Sequence, residues 1–356
     1  MSQTWIPCLV VVVGLLAAVS WSQAPGAAQK AGPVMMFADT ASGKPFSKDP
    51  AVVRFAGRYW LYYSLTPYKG KAHKGWSIGV AASDDLRRWK KVGEIAPRGA
   101  VEANGFCAPG AIVLGGRVHL FYQTYGNGRN DAICHATSAD GLHFRRDASN
   151  PVLRPRGAWT CGRAIDADVI AFKGRLLMYW ATRDPKMKVQ MLGVSAAPLD
   201  SDFSREKWAQ LCTSPILKPE LPWEGRCIEA AAACVRDGKV YMFYAGNYNN
   251  GPQQIGLAVS DDGVRFRRVS KRPFLPNGRP GEWNASESGH PYLFQDDDGR
   301  HYLFFQGNKT RGKTWYLSMT PVAWKDSTPY LPEAGRREGI HTAGPEDSRR
   351  IPQTAY

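Results

Sequence analysis

Residues able to carry acid–base chemistry recur at matching positions of a repeated phrase in this sequence. Each copy of the phrase has an apolar run, a turn with a glycine and an aromatic run. The turn glycines are Gly57, Gly116, Gly174, Gly238 and Gly299. Eight residues before the first three glycines, and nine before the last two, stand Asp49, Ala108, Asp166, Glu229 and His290. Three carboxylates and an imidazole in one repeated position predict a scaffold that collects proton donors and acceptors at one point.

A pair of carboxylates that face one another across a gap is the apparatus of glycoside hydrolysis. One carboxylate stays ionised to take a proton from water, and the other is protonated and donates to the leaving oxygen. A third carboxylate nearby raises the pKa of the proton donor by like-charge repulsion. Asp49, Asp166 and Glu229 supply these three parts, so we predict them as the catalytic residues. The structural alternative is that each carboxylate caps a strand end or binds turn amides.

The repeat also defines the elements that must position these groups. Successive turn glycines are 59, 58, 64 and 61 residues apart, a period typical of repeat architectures. Each unit shows four short strand signals, which in the first unit are residues 51–55, 59–64, 77–83 and 89–92. Four antiparallel strands per unit, repeated five times, predict an all-β fold, a five-bladed β-propeller. Because the first strand of each blade lines the axis of a propeller, the three carboxylates would converge there.

The propeller is predicted to span residues 46–330. Residues 25–45 would form a lead-in, and residues 331–356 a surface or disordered tail rich in Pro, Gly and charge. A second phrase ends the third strand of several units, as in residues 83–89 (SDDLRRW). We predict that its acidic residue forms a tight turn and that the aromatic residue after it packs between blades.

The catalytic motifs resemble those of glycoside hydrolase family 43, which shares a five-bladed propeller with families 32, 68 and 117. Asp49-Pro50 resembles the first-blade motif, whose Asp is the general base. Asp166 matches the third-blade Asp that orients the acid and tunes its pKa, although Ala167 replaces the family's Pro. Glu229 matches the general acid of a Glu-Gly-Pro motif of which only the Glu is present, as in a divergent member. The resemblance implies inversion by single displacement, on α-L-arabinofuranoside or β-xyloside linkages.

The resemblance also implies roles for the remaining repeated positions. Gly289-His290 resembles a fifth-blade motif whose imidazole lies at the axis and can ligate a metal ion. The predicted reaction requires no cofactor, and His290 is the expected ligand if Ca²⁺ or Na⁺ binds near the axis. Ala108 takes the repeated position in blade two, where its small side chain would leave space as one wall of the substrate site.

Two arginines and three tryptophans are further candidates for binding substrate. Arg163 and Arg226 each stand three residues before a predicted catalytic carboxylate, where they would clamp an anionic group or form an ion pair with that carboxylate. Trp159, Trp223 and Trp283 precede the repeated positions by six or seven residues. They would lie on loops at the mouth of the funnel, where they would stack on sugars or pack within the loops.

The net charge of the chain indicates which class of binding partner to expect. The chain carries 46 Lys and Arg against 31 Asp and Glu, a net charge of +15. This balance favours an anionic polysaccharide or cell surface as partner, or else a solvated basic surface. The sequence has no nucleic-acid-binding motif, so nucleic acid is not an expected partner.

The first 24 residues are typical of a secretory signal. The apolar stretch from Ile6 to Val19 is followed by small residues up to Ala24. This stretch is too short for a stable membrane span. We therefore expect a secreted or periplasmic protein. Six cysteines follow the signal, and they are either paired in disulfides or buried as free thiols.

Two other functions fit the same pattern. A catalytically silent sugar-binding propeller would keep an aromatic rim without needing all three carboxylates. A propeller glycoside phosphorylase or transferase would use phosphate or another acceptor in place of water. The favoured prediction is a secreted glycoside hydrolase that acts on a plant or algal polysaccharide or oligosaccharide.

Overall fold

A computed structural model describes Met1 and residues 35–332 of the chain. In this part the chain forms five antiparallel sheets, and its only helical elements are three short 3₁₀ turns. The sheets follow one another along the chain as the blades of a propeller, which confirms the predicted fold. The predicted signal after Met1, and the predicted tail beyond residue 332, lie outside the described residues.

The strands are numbered in chain order, beginning with β1 (Met36–Phe37). Blade one contains β2 (Lys48–Phe55), β3 (Arg58–Leu65), β4 (Ser77–Ser83) and β5 (Lys90–Ile95). Blade two contains β6 (Phe106–Leu114), β7 (Arg117–Thr124), β8 (Ile133–Ser138) and β9 (Phe144–Arg146). Blade three contains β10 (Ile165–Phe172), β11 (Arg175–Arg183), β12 (Gln190–Pro198) and β13 (Ala209–Gln210). Blade four contains β14 (Ile228–Arg236), β15 (Lys239–Gly246), β16 (Gln254–Ser260) and β17 (Arg267–Arg268). Blade five contains β18 (Glu287–Gln295), β19 (His301–Asn308), β20 (Tyr316–Lys325) and β21 (Thr328–Tyr330).

The glycine of the repeated phrase marks the turn of the first hairpin in a blade. In blade one, β2 and β3 pair up to Phe55 and Arg58. The two residues between them, Ala56 and Gly57, have φ values of 51° and 77°. Two consecutive positive φ values characterise the type I′ turn, whose twist matches that of the strands it joins. Glycine reaches this conformation without steric cost, which explains why it recurs at this point.

The fifth blade includes a strand from the beginning of the described chain. β1 pairs antiparallel with β20, where Met36 lies opposite Ser318. The strands of this sheet follow the order β1, β20, β19, β18, and β21 also pairs with β20. Met36 and Phe37, which the sequence analysis assigned to the lead-in, therefore belong to the sheet of blade five. A strand of two residues is too short to show the alternation that identifies strands in a sequence.

Aromatic residues after the acidic turns pack between neighbouring blades, as predicted. Phe144 of blade two packs edge-on against Tyr62 of blade one, with ring centroids 5.5 Å apart. The Tyr62 hydroxyl donates a hydrogen bond of 2.8 Å to the carbonyl of Gly141, in the turn before Phe144. Phe266 and Tyr179 repeat this packing between blades four and three, with centroids 5.7 Å apart. These contacts join adjacent sheets in a fixed order around the axis.

Buried apolar side chains from all five blades form the core of the described part. The six described cysteines are free thiols, and all but Cys161 are buried. Of the two predicted states of the cysteines, the structure therefore shows the free thiols. In residues 35–332 no helix is long and apolar enough to cross a membrane.

Candidate active site

The first strand of every blade contains the same backbone irregularity. In blade one, the pairing of β2 with β3 is interrupted between Lys48 and Ala51, and the other four blades have the equivalent break. One residue at each break has a positive φ: Asp49 (52°), Ala108 (48°), Asp166 (54°), Ala230 (50°) and His290 (44°). A bulge of this kind bends the strand and re-aims a side chain. Left-handed backbone at a residue other than glycine is strained, and such strain concentrates at functional sites.

The bulge corrects the predicted position of Glu229 in the repeat. The sequence alignment placed Glu229 in the same position as Asp49, but Ala230 is the residue with the bulge conformation. Ala230 lies eight residues before Gly238, which is the spacing of the first three blades. Glu229 therefore corresponds to Lys48, one residue before the bulge. The prediction selected Glu229 because it is a carboxylate. The bulge instead lies at a fixed distance from the end of the strand, and in blade four that position is Ala230.

Side chains from the neighbouring blade hold the bulges in place. The N–H of Asp49 donates to Oε1 of Gln306 in β19 (3.0 Å). The N–H of Asp166 donates to Oε1 of Gln123 in β7 (2.8 Å). The corresponding bonds of blades two and five join Ala108 to Ser64 and His290 to Gln253. Each bond satisfies a buried N–H that the bulge withdraws from the sheet.

The bulges lie at one end of the axis, where they line a pocket of about 260 Å³. Six residues predicted from the sequence line it: Asp49, Ala108, Arg163, Asp166, Glu229 and His290. The three carboxylates are between 5% and 8% exposed. Buried carboxylates from three blades, brought to one small pocket, form an arrangement suited to acid–base chemistry.

Asp49 lies between two nitrogen groups. Its Oδ1 is 3.1 Å from Nδ1 of His290 and 3.8 Å from Nζ of Lys48. Burial acts to raise the pKa of Asp49, but His290, Lys48 and a hydrogen bond from Ser64 outweigh it, so this pKa lies below its ordinary value. Burial lowers the pKa of His290 in spite of the nearby carboxylate. Asp49 is therefore ionised at neutral pH, and Nδ1 of His290 is in contact with its Oδ1.

Glu229 is held by side-chain amides. The amide of Gln190 donates to Oε2 of Glu229. The amide of Gln253 donates to Oε1 (2.7 Å), and the amide of Asn249 lies 3.4 Å from the same oxygen. Arg183 supports this set because its Nε donates to Oε1 of Gln190 (2.9 Å). These bonds fix the orientation of the Glu229 carboxyl group in the pocket.

Asp166 is the carboxyl group of the pocket that burial affects most clearly. Burial raises the pKa of Asp166 well above its ordinary value, and the negative charges of Glu229 and Asp49 raise it further. The nearby guanidinium of Arg163 opposes this shift. Asp166 therefore holds a proton more readily than Asp49, whose pKa is shifted in the opposite direction.

The two predicted arginines differ in their positions. Arg163 lines the pocket and forms an ion pair with Asp131, with Nη2 3.2 Å from Oδ2. Its expected partner, Asp166, is thus not the residue with which it pairs. Arg226 is exposed and does not line the pocket, although its carbonyl accepts a hydrogen bond from the N–H of Gln190 (2.9 Å).

The three predicted tryptophans do not line the axial pocket. Each packs against an aromatic residue of the second strand in its own blade. The pairs are Trp159 with Trp180, Trp223 with Tyr244 and Trp283 with Phe305, with centroids 5.8, 6.0 and 5.6 Å apart. Of the two predicted roles, this position agrees with packing. Trp76 and Tyr125 are the aromatic pair that lines the pocket, with centroids 5.2 Å apart.

Several residues of the pocket were missed by the sequence analysis. They are Lys48, Trp76, Tyr125, Arg183, Gln190, Tyr248 and Asn249. The bulge anchors were also missed, although they had a signal in the repeat. Ser64, Gln123 and Gln306 each end the aromatic run of the phrase, where the other two copies have Ala. Lys48 stands directly before the predicted base, but charged residues at the beginning of a strand are common and indicate no role.

A metal ion has little protein support in this pocket. In residues 35–332 no group of three or more His, Cys, Asp or Glu is arranged to hold a metal. Nδ1 of His290 already contacts Asp49. The described side chains therefore do not form a metal site made of protein ligands.

Fold and site together define a five-bladed propeller with an acid–base pocket at one end of its axis. The model of glycosyl hydrolases family 43 matches residues 43–329, which is most of the chain. The protein therefore belongs to this family.

Two curated relatives are similar over shorter stretches. Xylosidase/arabinosidase 43A of Humicola insolens is 36% identical over 93 residues, 26% of this chain and 26% of that protein. A xylosidase/arabinosidase of Bacteroides ovatus is 33% identical over 88 residues, 25% of this chain and 24% of that protein. The matches span about a quarter of the length of each relative. The crystal structure of a thermostable family-43 glycoside hydrolase covers 86% of this chain and 96% of its own, with a TM-score of 0.65 and 20% identity, which shows the common fold.

Proposed function

We propose that this protein is a glycoside hydrolase that cleaves its substrate by single displacement with inversion. The observation that carries the proposal is the axial pocket, where Asp49, Asp166 and Glu229 meet with different electrostatic surroundings. An ionised carboxylate that faces a second carboxyl group across a pocket is the arrangement of base and acid that glycoside hydrolysis requires. The family to which the chain belongs supports this reaction class.

Asp49 acts as the general base. It accepts a proton from water, and the water oxygen attacks the anomeric carbon from the face opposite the leaving group. His290 and Lys48 stabilise the ionised form of Asp49 before the reaction. The low pKa of Asp49 keeps it unprotonated over a wide range of pH, at the cost of a weaker base.

Glu229 acts as the general acid. It gives a proton to the glycosidic oxygen as the bond to the anomeric carbon breaks, and the sugar is released with inverted configuration. Asp166 lies close enough to Glu229 for their charges to interact, and it orients and tunes the acid. Gln190 and Gln253 hold the acid in one orientation during this transfer. The reaction needs no cofactor.

The proposed substrate is an α-L-arabinofuranoside or a β-xyloside in a plant or algal glycan. The names of the two curated relatives support this choice. A pocket of about 260 Å³ lies just below the usual range of ~300–1,000 Å³ for small-molecule sites, so it suits a single terminal sugar. We also propose export of the protein, because the apolar stretch from Ile6 to Val19 is typical of a signal.

Aryl glycosides with different leaving groups test the roles of the two residues. We expect Asp49→Asn to lower kcat/KM about 10²–10⁴-fold on all of them. Glu229→Gln should lower it by a similar factor for a poor leaving group. It should lower it much less for dinitrophenolate, which departs without protonation. NMR of the first product should show the inverted anomer, and a retained anomer would contradict the role of Asp49 as base.

Asp168→Asn is the matched control for these variants. Asp168 is a buried carboxyl group on the same strand as Asp166, but it lines another cavity and accepts a hydrogen bond from the N–H of Ala233 (2.8 Å). We expect this variant to retain turnover. If all three variants lose activity equally, the loss reflects folding, and the assignment of the catalytic residues is wrong.

A further inference from the structure

A second cavity, of about 750 Å³, lies away from the propeller axis. One side is the segment 151–156, which follows blade two, and the other is the outer part of blade three around Ser195 and Gln210. The cavity shares no lining residue with the axial pocket. Its volume is within the ~300–1,000 Å³ that small-molecule sites occupy.

Blades two and four contain a buried ion pair in their outermost strand. Nε of Arg146 in β9 donates to Oε1 of Glu102 at 2.8 Å. Nε of Arg268 in β17 donates to Oε1 of Glu224 at 2.7 Å. In both blades the arginine neutralises a carboxylate from the loop that enters the same blade, and the two charges cancel locally.

Blade three has Gln210 of β13 where blades two and four have these arginines. Gln210 lies opposite Ser195, just as Arg146 lies opposite Ala136 and Arg268 opposite Ala258. Its side chain binds the backbone of Arg156 twice. Oε1 accepts from the N–H (2.8 Å), and Nε2 donates to the carbonyl (3.0 Å). Gln210 therefore fixes the segment that forms the other wall of the cavity.

Three arginines around this cavity are without a carboxylate partner. Arg154, Arg156 and Arg205 line it and are exposed, and none of them forms an ion pair within residues 35–332. Arg154 donates to the carbonyl of Asn130 (2.7 Å), and Arg205 donates to that of Pro151 (2.9 Å). Carbonyl groups orient the guanidinium groups of Arg154 and Arg205 without neutralising their charge. A planar carboxylate is the ligand that such groups bind best.

Trp208 adds a flat apolar surface to the same cavity. Its Nε1 donates to the carbonyl of Phe203 (3.0 Å), and its ring packs edge-on against Phe121 with centroids 5.7 Å apart. The ring is thus fixed while it still lines the cavity. A rigid aromatic ring beside fixed cations matches the two surfaces of an acidic sugar, a ring face with C–H groups and a carboxylate.

We propose that this cavity is a second saccharide-binding site that recognises a carboxylated sugar unit of the polysaccharide. Arg154 and Arg156 bind the carboxylate, and Trp208 contacts the ring. The site rests on the proposed function for its ligand class but contributes no group to the reaction. It would hold a uronate-containing chain while the axial pocket acts on a terminal sugar, and it gives the excess positive charge of the chain a specific use.

Calorimetric titration of the Glu229→Gln protein with a short oligogalacturonate tests the proposal without turnover. We expect the double variant R154A/R156A to weaken binding at least about tenfold. The matched control is R117A/R175A, which removes the same charge from two exposed arginines at hairpin turns far from the cavity in sequence. The control should change binding less than twofold, and a neutral xylo- or arabino-oligosaccharide should not compete.

Three results would overturn the proposal. Equal weakening by both double variants would show general attraction to a polyanion. An unchanged affinity in R154A/R156A would place the ligand elsewhere, and the absence of measurable binding to the Glu229→Gln protein would contradict the existence of the site.

A second measurement separates this test from the proposed reaction. It compares the hydrolysis of aryl glycosides by the wild type and by R154A/R156A, both of which contain Glu229. R154A/R156A should hydrolyse them at the wild-type rate, and a tenfold loss of this activity would contradict a site that is separate from the axis.

Discussion

Lys48 is a buried cation beside the carboxylates of the axial pocket. Its Nζ is 3.8 Å from Asp49, donates to Oδ1 of Asn249 and lies 4.7 Å from the ring centroid of Trp315. Burial acts to lower the pKa of Lys48, but the charges of Asp49, Glu287 and Glu229 raise it above its ordinary value. Lys48 therefore stays charged and stabilises the ionised form of Asp49, which makes it a positioning residue for the proposed general base.

Lys48→Met should move the acidic limb of the pH profile of kcat/KM to higher pH. Removal of the ammonium group raises the pKa of Asp49, so the base becomes protonated at a pH where the wild type is still active. Near the optimum the loss should be much smaller than that of Asp49→Asn. Lys48→Arg, which keeps the charge, should leave the limb close to its wild-type position. A limb that stays in place in Lys48→Met would assign the lysine a packing role only.

The bulge in the first strand is the element that turns a repeated strand into a site. Five equivalent bulges bring different side chains to one point, and a polar side chain from a neighbouring blade holds four of them. Gln123 holds the bulge of Asp166 in this way. The strained backbone persists because such bonds replace those that the sheet loses.

Gln123→Met should lower both stability and turnover. The variant leaves the buried N–H of Asp166 without its acceptor, which costs about 1–3 kcal/mol of unfolding free energy in a urea titration. The displaced bulge should also reduce kcat more than it changes KM.

Thr124→Val is the control for this element. Thr124 follows Gln123 in β7, and its Oγ1 accepts from the N–H of Ala132 (3.0 Å), away from the bulge. It should lose a similar free energy of unfolding and retain its kcat. Equal losses of kcat in both variants would show that Gln123 acts through general stability.

Across the whole molecule, the two ends of the axis hold cavities with different lining residues. At the end opposite the bulges, a cavity of about 370 Å³ is lined by the first strands of all five blades. Asp168 lines it, and burial raises the pKa of Asp168 to about 7 although the N–H of Ala233 donates to its carboxyl group. The folded protein therefore keeps a proton on Asp168 that the unfolded chain releases above its ordinary pKa of 3.8.

This proton links stability to pH. Because the folded state binds more protons than the unfolded state between about pH 4 and 7, Asp168 makes the free energy of unfolding fall as pH rises through this range. Asp168→Asn removes the effect. We expect the variant to exceed the wild type by about 1–4 kcal/mol at pH 8, and by much less at pH 4, in urea titrations. A difference that is the same at both pH values would exclude Asp168 as its source.

The repeat made much of the propeller predictable. Five phrases with hairpin glycines predicted five blades, and the predicted strand at residues 77–83 has the bounds of β4. The two-residue strand β1 showed no pattern, because it gains its partner from the other end of the described chain. Residue type was sufficient to select Asp49, Asp166 and Glu229, but it gave a wrong register for Glu229. The amide side chains around Glu229 come from loops and strand ends that do not repeat.

By itself the sequence determined the architecture and the residue types of the site, because hydrophobic period, turn glycines and chemically distinctive residues are local properties. Only the tertiary structure decided which side chains share a pocket. It placed Lys48 and His290 beside Asp49 and gave Asp166 a raised pKa, since burial and neighbouring charges depend on blades that are far apart in the chain. It also showed that Trp76 lines the pocket and that the three predicted tryptophans do not, because the direction of a loop side chain depends on how it packs in the folded protein.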